Sequence, residues 1–506
     1  MVKSQETADI NPWWKFEDRF PLFDQQLKRE GTFKIVFKRK SLELKPNNLY
    51  IIRGPRQVGK TFWIKQKIRE LIKKGSAPKS ILYFSCDMSK TRKELSSAIK
   101  FYFDSFGVGM NPIYIFLDEI SYINEWAYEL KSLFDAGSFQ NSCVVVTGSN
   151  PWDIKSKKER LPGRGIEGNE KMFYPLSFRE FVIQSEIVKD IIRNSDYNVS
   201  ESLKQFFDKR ETFARINLED RDGFIASVKN LLPFEKELQF FFTLYLHTGG
   251  FPESINSLLD SMSNSNNKQQ KIDSNIYEKY INVLKGDLVR EIKNETALRG
   301  LMDVIVRCQS SRTNFADITK EVGSSPDPKT IASYSDLLTE NLLARIFYSY
   351  DFSKQNFKNR ADKKIYFYDP FIYCAVKGWL SGKDGNELFN DILLNSELKS
   401  IIVESIIGNH LALIGERSPM KEMITFLWFY YDRSREIDFL YKKQDGEFTG
   451  IEVKYRNNVS LKDAARIDRI KEYYIISKDT ADFRETVPII PAPLFLFTLK
   501  TSEGHL

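Results

Sequence analysis

Apolar positions along the chain follow two different rhythms. Short continuous apolar runs, Leu49-Tyr50-Ile51-Ile52, Ile81-Leu82-Tyr83-Phe84, Ile113-Tyr114-Ile115-Phe116-Leu117 and Cys143-Val144-Val145-Val146, recur early, with helix-length mixed segments between them. A run that is apolar on both faces predicts a strand buried on both sides, and strands alternating with helices predict a parallel α/β sheet. Over residues 186–290 the spacing becomes helical, most clearly at 238–247 and 276–284. Helical patterns at 298–307, 314–322 and 329–340 then precede an apolar stretch at 342–349. Three helices followed by a ribbon is the order of a winged helix-turn-helix, with Lys329-Thr330-Ile331 opening the recognition helix. The same order also suits an interdomain spacer or oligomerisation module, and acidic residues outnumber basic ones by one over 291–350.

Chemistry enters at Gly54-Pro55-Arg56-Gln57-Val58-Gly59-Lys60-Thr61, which fits G-x-x-x-x-G-K-[ST] between a strand at 48–53 and a helix beginning at Phe62. In such a loop glycines let backbone N–H groups wrap phosphates, Lys60 meets the β and γ oxygens, and Thr61 reaches Mg²⁺. Residues 54–62 therefore predict a site for ATP and Mg²⁺. Asp118-Glu119 closes the strand at 113–117. At that position Asp118 would hold the metal, and Glu119 would orient the water that attacks the γ-phosphate. Past the strand at 143–147, Ser149 or Asn150 would lie beside the γ-phosphate as a sensor.

The strand inserted between the phosphate-loop strand and the acidic strand, with Glu119, resembles the additional-strand, catalytic-glutamate branch of P-loop ATPases, nearest to the AAA+ group. The ordered set Pro55-Arg56-Gln57-Val58, Leu117-Asp118-Glu119-Ile120, Thr147-Gly148-Ser149-Asn150, Gly163-Arg164 and Pro175-Leu176-Ser177-Phe178-Arg179-Glu180-Phe181 resembles a family of mostly archaeal and bacterial AAA-type ATPases. Asn11-Pro12-Trp13-Trp14 resembles its archaeal members. The resemblance implies a helical lid with a turn at Gly249-Gly250-Phe251-Pro252. It also implies Arg164 as an arginine finger acting on a neighbouring subunit, hence a homo-oligomer and commonly a hexameric ring. An ordinary loop arginine is the alternative reading of Arg164.

Residues 364–370 restart a strand pattern and resemble the uncharacterised C-terminal domain that accompanies these ATPases. Strands at 435–440 and 450–454, joined by a hairpin, would bring Asp438 beside Glu452 and Lys454, and Glu-x-Lys places both charges on one strand face. Glu404 has helical spacing with Ile401, Ile407 and Leu411. Glu404, Asp438 and Glu452 as Mg²⁺ ligands, with Lys454 stabilising charge, resemble a restriction-endonuclease-like nuclease core. A plain charged hairpin and a nuclease fold without catalysis remain open beside it.

Composition narrows these readings. Net charge is +7, and the surplus lies in residues 1–100, where Lys and Arg exceed Asp and Glu by 13. That surplus suits phosphates, of a nucleotide or of DNA. Four dispersed cysteines and three histidines disfavour a disulfide framework or a structural zinc site. No apolar run approaches a membrane span, so a cytoplasmic protein is expected. The expected organisation is an N-terminal segment (1–32), an AAA+-like core (33–185), a helical lid (186–290), a winged helix (291–352) and an α/β nuclease-like domain (353–506). Its expected work is ATP-driven processing of forked, branched or duplex DNA. The rival is a nucleotide-gated switch that controls assembly with a protein partner.

Overall fold

The structure is a computed structural model that describes residues 4–88, 91–107, 109–148, 169–193, 197–264, 270–292, 294–322, 327–358, 361–415, 423–433, 435–484 and 486–502. Its contacts divide the chain into two units, the first Met1–Tyr174 with Gly504–Leu506 and the second Pro175–Glu503.

Unit 1 is built on five parallel strands: β1 (Asn48–Arg53), β2 (Ile81–Ser85), β3 (Ile113–Asp118), β4 (Ser142–Gly148) and β5 (Glu170–Met172). Their order across the sheet is β2-β3-β4-β1-β5, so β4 lies between the phosphate-loop strand and the acidic strand. All the residues of β4 and most of β1 and β3 are buried, as the continuous apolar runs require. The helix Lys60–Lys73 leaves the loop after β1. On the other side of the sheet a core forms from Leu95, Ile99 and Tyr102 with Ile115, Leu117, Val144 and Val146.

The edge strand β2 would present unpaired backbone groups, and the N-terminal segment covers them. Asn11 donates its amide to Tyr83 O (2.9 Å) and accepts from Tyr83 N–H (2.7 Å), while the indoles of Trp13 and Trp14 both donate to Ile81 O (3.0 and 2.8 Å). The Asn11-Pro12-Trp13-Trp14 motif thus substitutes side chains for a missing neighbouring strand.

Unit 2 opens with the Pro175-Leu176-Ser177-Phe178 motif, whose role is structural. Ser177 caps the helix Phe178–Gln184 in a capping box with Glu180. The buried Arg179 donates to the carbonyls of Phe213 and Phe497 (both 2.6 Å), which pins that helix to distant segments. Gly249 and Gly250 break the helices Glu235–Thr248 and Pro252–Ser263. Gly250 carries no side chain because a Cβ there would lie 2.2 Å from Leu176 O. Asp369 accepts from the N–H of Gly250 (2.9 Å) and of Phe371 (2.8 Å), so three motifs far apart in sequence meet at one joint.

Next come the helices Glu295–Cys308, Phe315–Val322 and Pro328–Glu340, followed by β6 (Ala344–Tyr348). A small antiparallel pair, β7 (Tyr350–Asp351) and β8 (Asn356–Phe357), precedes β9 (Lys363–Phe367), which pairs antiparallel with β6 across residue 352. The last sheet runs β10 (Leu427–Tyr431), β11 (Glu436–Lys442), β12 (Phe448–Lys454), β13 (Glu472–Ser477) and β14 (Ile489–Pro491) in that order. β10 to β12 are antiparallel, and β13 and β14 run parallel to β12. The hairpin between β11 and β12 is tighter than the sequence suggests, since both strands extend towards a turn around Gly446, whose φ is +89°.

Gly250→Ala forces Leu176 to move and is expected to cost on the order of 1–3 kcal/mol in urea unfolding. His410 accepts from Phe178 N–H through Nε2 (3.0 Å), with Nδ1 at 2.8 Å from Ile406 O, and burial pulls its pKa down to about 4. Because the folded pKa lies below the unfolded one, its contribution is fully present above pH 6.5 and is lost as pH falls toward 4. Stability curves measured across that window should be flatter for His410→Gln than for the wild type.

Candidate functional site

The phosphate loop follows β1 and requires left-handed backbone at Gln57 (φ +63°) and Gly59 (φ +97°). Gly54 is held so close to Phe173 that a Cβ would lie 2.1 Å from its carbonyl oxygen. Lys60, only 4% exposed, turns its ammonium onto the carbonyls of Gly54 (2.8 Å) and Pro55 (2.9 Å). It also lies 3.9 Å from Glu119.

Asp118 ends β3 and gathers the rest. Its Oδ2 accepts from Thr61 (2.7 Å) and from the phenol of Tyr83 (3.0 Å), and its Oδ1 accepts from Thr147. Thr147 Oγ1 also accepts from Glu119 N–H (3.1 Å), so β4 sets the position of Glu119 directly. Glu119 takes left-handed backbone (φ +53°) and turns its carboxylate to Arg56 (3.3 Å). Arg56 in turn receives support from Tyr122, whose hydroxyl lies 3.2 Å away.

Lys60, Thr61, Asp118 and Glu119 therefore come together as the sequence predicts. A hydroxyl and a carboxylate 2.7 Å apart at a helix N-terminus, with a lysine beside them, are a donor set suited to a hard cation and a polyphosphate. Ser149, Asn150 and Arg164 lie outside the described residues. Sequence reasoning missed Tyr83 and Thr147 as holders of Asp118, and missed Arg56 as the partner of Glu119. For Thr147 the available signal was a polar residue in an otherwise apolar strand, one step past the Val146 that pairs with Leu117.

Behind the sheet, Lys65 pairs with Asp24 at 3.1 Å and lies 3.5 Å from the centre of the Tyr83 ring. Burial pulls its pKa down, opposed by Asp24. Burial, with the charge of Asp118, pushes the Tyr83 phenol well above its ordinary range, so it stays a donor to that carboxylate.

Unit 2 holds a second cluster of charge. The helix Ser396–Ala412 and strands β11 and β12 bring Glu404, Asp438, Glu452 and Lys454 together, as the sequence suggests, but the centre is taken by Lys364 of β9. Its ammonium lies 3.1 Å from Glu404, 3.0 Å from Asp438 and 2.7 Å from Glu436. Lys454 pairs with Glu452 at 2.9 Å. Burial opposes the Lys364 charge, but Glu404, Asp438 and Glu436 together hold its pKa well above the ordinary lysine value. Burial and Asp438 raise the pKa of both Glu404 and Glu452, whereas Asp438, against the cost of burial, is held low by Lys364 and Lys454.

Among the described residues no group of three or more His, Cys, Asp or Glu is arranged to hold a metal ion. In this structure the oxygens of Glu404, Asp438 and Glu452, the expected Mg²⁺ set, accept from ammonium groups, hydroxyls and backbone N–H groups of the same unit. Lys364 was missed because a lysine inside the apolar strand run at 364–368 looks like an edge residue, whereas its side chain is 1% exposed.

Residues 46–182 match the family model of an AAA domain. Residues 240–383 and 399–495 match two families described as domains of unknown function, DUF8612 and DUF4143. A relative from Methanocaldococcus jannaschii, the uncharacterized protein MJ1637, is 29% identical over 170 residues, and the match spans 33% of either chain. Among solved structures, Aeropyrum pernix Orc1 in complex with DNA aligns at 12% identity, with a TM-score of 0.30, over 66% of this chain and 86% of its own. Thermotoga maritima RuvB aligns at 13% identity, with a TM-score of 0.25, over 68% and 89%. No helix among the described residues is long and apolar enough to cross a membrane. The described part of residues 46–182 thus joins a parallel α/β sheet and a phosphate loop to a sequence that matches an AAA domain.

Thr147→Val removes a hydroxyl that serves both Asp118 and Glu119, leaving buried polar groups one partner short. It is expected to lower stability by about 1–3 kcal/mol, read from thermal melts.

Proposed function

We propose that this chain is an Mg²⁺-dependent AAA+-type ATPase whose hydrolysis drives work on DNA. The observation that carries the ATPase reading is the Lys60, Thr61, Asp118 and Glu119 constellation at the ends of β1 and β3, with Thr61 and Asp118 2.7 Å apart. With ATP bound, Lys60 and the loop N–H groups would hold phosphate oxygens, and Thr61 and Asp118 would hold Mg²⁺. Glu119 would polarise the attacking water. Arg56 would keep Glu119 turned aside until phosphate competes for the guanidinium. Ser149 or Asn150 is the proposed sensor and Arg164 the proposed finger, which requires a homo-oligomer.

The DNA role draws support from three helices and a ribbon in winged-helix order between Glu295 and Phe367, and from the basic surplus of residues 1–100. The remaining boundaries stand as part of the same proposal: a lid over 186–290, a winged helix over 291–352 and a nuclease-like domain over 353–506. A second reading has its own observation. The occupied acidic cluster favours a nuclease-like domain that does not cut, which suits a nucleotide-gated switch acting on a protein partner.

The test is ATP turnover at fixed salt with and without single-stranded, duplex, forked and four-way DNA. Stimulation by any of these DNAs supports the DNA motor, whereas turnover indifferent to all of them supports the switch. Glu119→Gln is expected to lower turnover by about 100-fold or more while ATP binding persists. Unchanged turnover would remove Glu119 from its proposed role.

A further inference from the structure

All six carboxylate oxygens of Glu404, Asp438 and Glu452 are engaged by the protein. Glu404 Oε1 accepts from Lys364 (3.1 Å) and Tyr366 (2.5 Å), and Oε2 accepts from Ser310 (2.5 Å). Asp438 accepts from Lys364 through Oδ1 (3.0 Å) and from Val453 N–H through Oδ2 (2.9 Å). Glu452 accepts from Ala465 N–H through Oε1 (2.9 Å) and pairs with Lys454 through Oε2 (2.9 Å).

Mg²⁺ and Mn²⁺ need several oxygens with free lone pairs directed at one point, and carboxylates supply them. Here the point between Glu404 and Asp438 already holds a positive nitrogen, buried and within 3.1 Å of both. Lys364 and Lys454 together supply two positive charges, the charge of one divalent ion. Lys364 does not come from the sheet that carries Asp438 and Glu452. It comes from β9, the strand paired with β6, so the ribbon closes the cluster from outside.

We infer that Lys364 is the resident cation of a latent divalent-metal site, and that it keeps the C-terminal carboxylates from taking up a metal. The inference rests on the nuclease-like reading of those carboxylates, and it places the obstacle to metal-dependent cleavage in one side chain. Removing the ammonium while keeping the apolar stem, as in Lys364→Met, leaves Glu404 and Asp438 in place without the cation between them. A divalent ion is then the cation that satisfies them.

The experiment uses the full-length chain without nucleotide, with Mn²⁺ uptake followed by electron paramagnetic resonance. The wild type and Glu452→Gln should take up equal amounts. Lys364→Met should take up one further Mn²⁺ per chain, and Lys364→Met/Glu452→Gln should lose it again. If Lys364→Met folds weakly without metal, its melting temperature should rise with Mn²⁺ while that of the wild type does not. Wild-type uptake that Glu452→Gln reduces would overturn the inference and leave the nuclease-like reading standing. A Lys364→Met chain that shows neither added uptake nor a melting shift with Mn²⁺ would overturn both.

Discussion

A carboxylate buried at the end of a strand must be given donors, and in unit 1 that requirement falls on Asp118, which is 2% exposed. Its partners arrive from three directions: Thr61 from the helix after the phosphate loop, Tyr83 from β2, and Thr147 from β4. An unpaired carboxylate at that depth would be strongly unfavourable, so the relative placement of three elements is tied to one side chain. The same threonine that serves Asp118 fixes the N–H of Glu119. The residue proposed to hold metal and the residue proposed to polarise water are thus set by a shared hydrogen-bond network.

The same rule operates in unit 2 with the opposite outcome. Glu404, Asp438 and Glu452 are buried together, and their charge is met by lysines, hydroxyls and backbone donors from within the unit. At Asp118 the donors are hydroxyls, neutral groups that can turn aside for a cation. At Glu404 and Asp438 the donor they share, Lys364, is itself a cation, and like charge excludes another from the same place. That contrast is why Asp118 is proposed to take Mg²⁺ and the cluster around Lys364 is proposed to refuse it, although the two share the same acidic residue types.

Much of the core was legible because its signals are local. A strand buried on both faces writes itself as a continuous apolar run, and the phosphate loop needs glycine and lysine at fixed spacing, so Lys60, Thr61, Asp118 and Glu119 could be named before any contact was known. What the sequence concealed depends on partners distant in the chain. Nothing near Tyr83 announces that its hydroxyl reaches Asp118, and nothing near Lys364 announces that its ammonium reaches Glu404, 40 residues on, and Asp438, 74 residues on. The Pro175-Leu176-Ser177-Phe178 and Gly249-Gly250 motifs carried family resemblance in the sequence. In the structure they are one steric joint, where Gly250 must lack a side chain because Leu176 passes against it.

Asp118 and its hydroxyl partners are proposed to form a metal–nucleotide site that turns over. Its most direct test is phosphate release from ATP by the full-length chain as Mg²⁺ is raised from zero, with Lys60→Ala measured beside it. Saturable, Mg²⁺-dependent turnover is expected in the wild type, with none above background in Lys60→Ala. Equal release from both chains, or release indifferent to Mg²⁺, would contradict it.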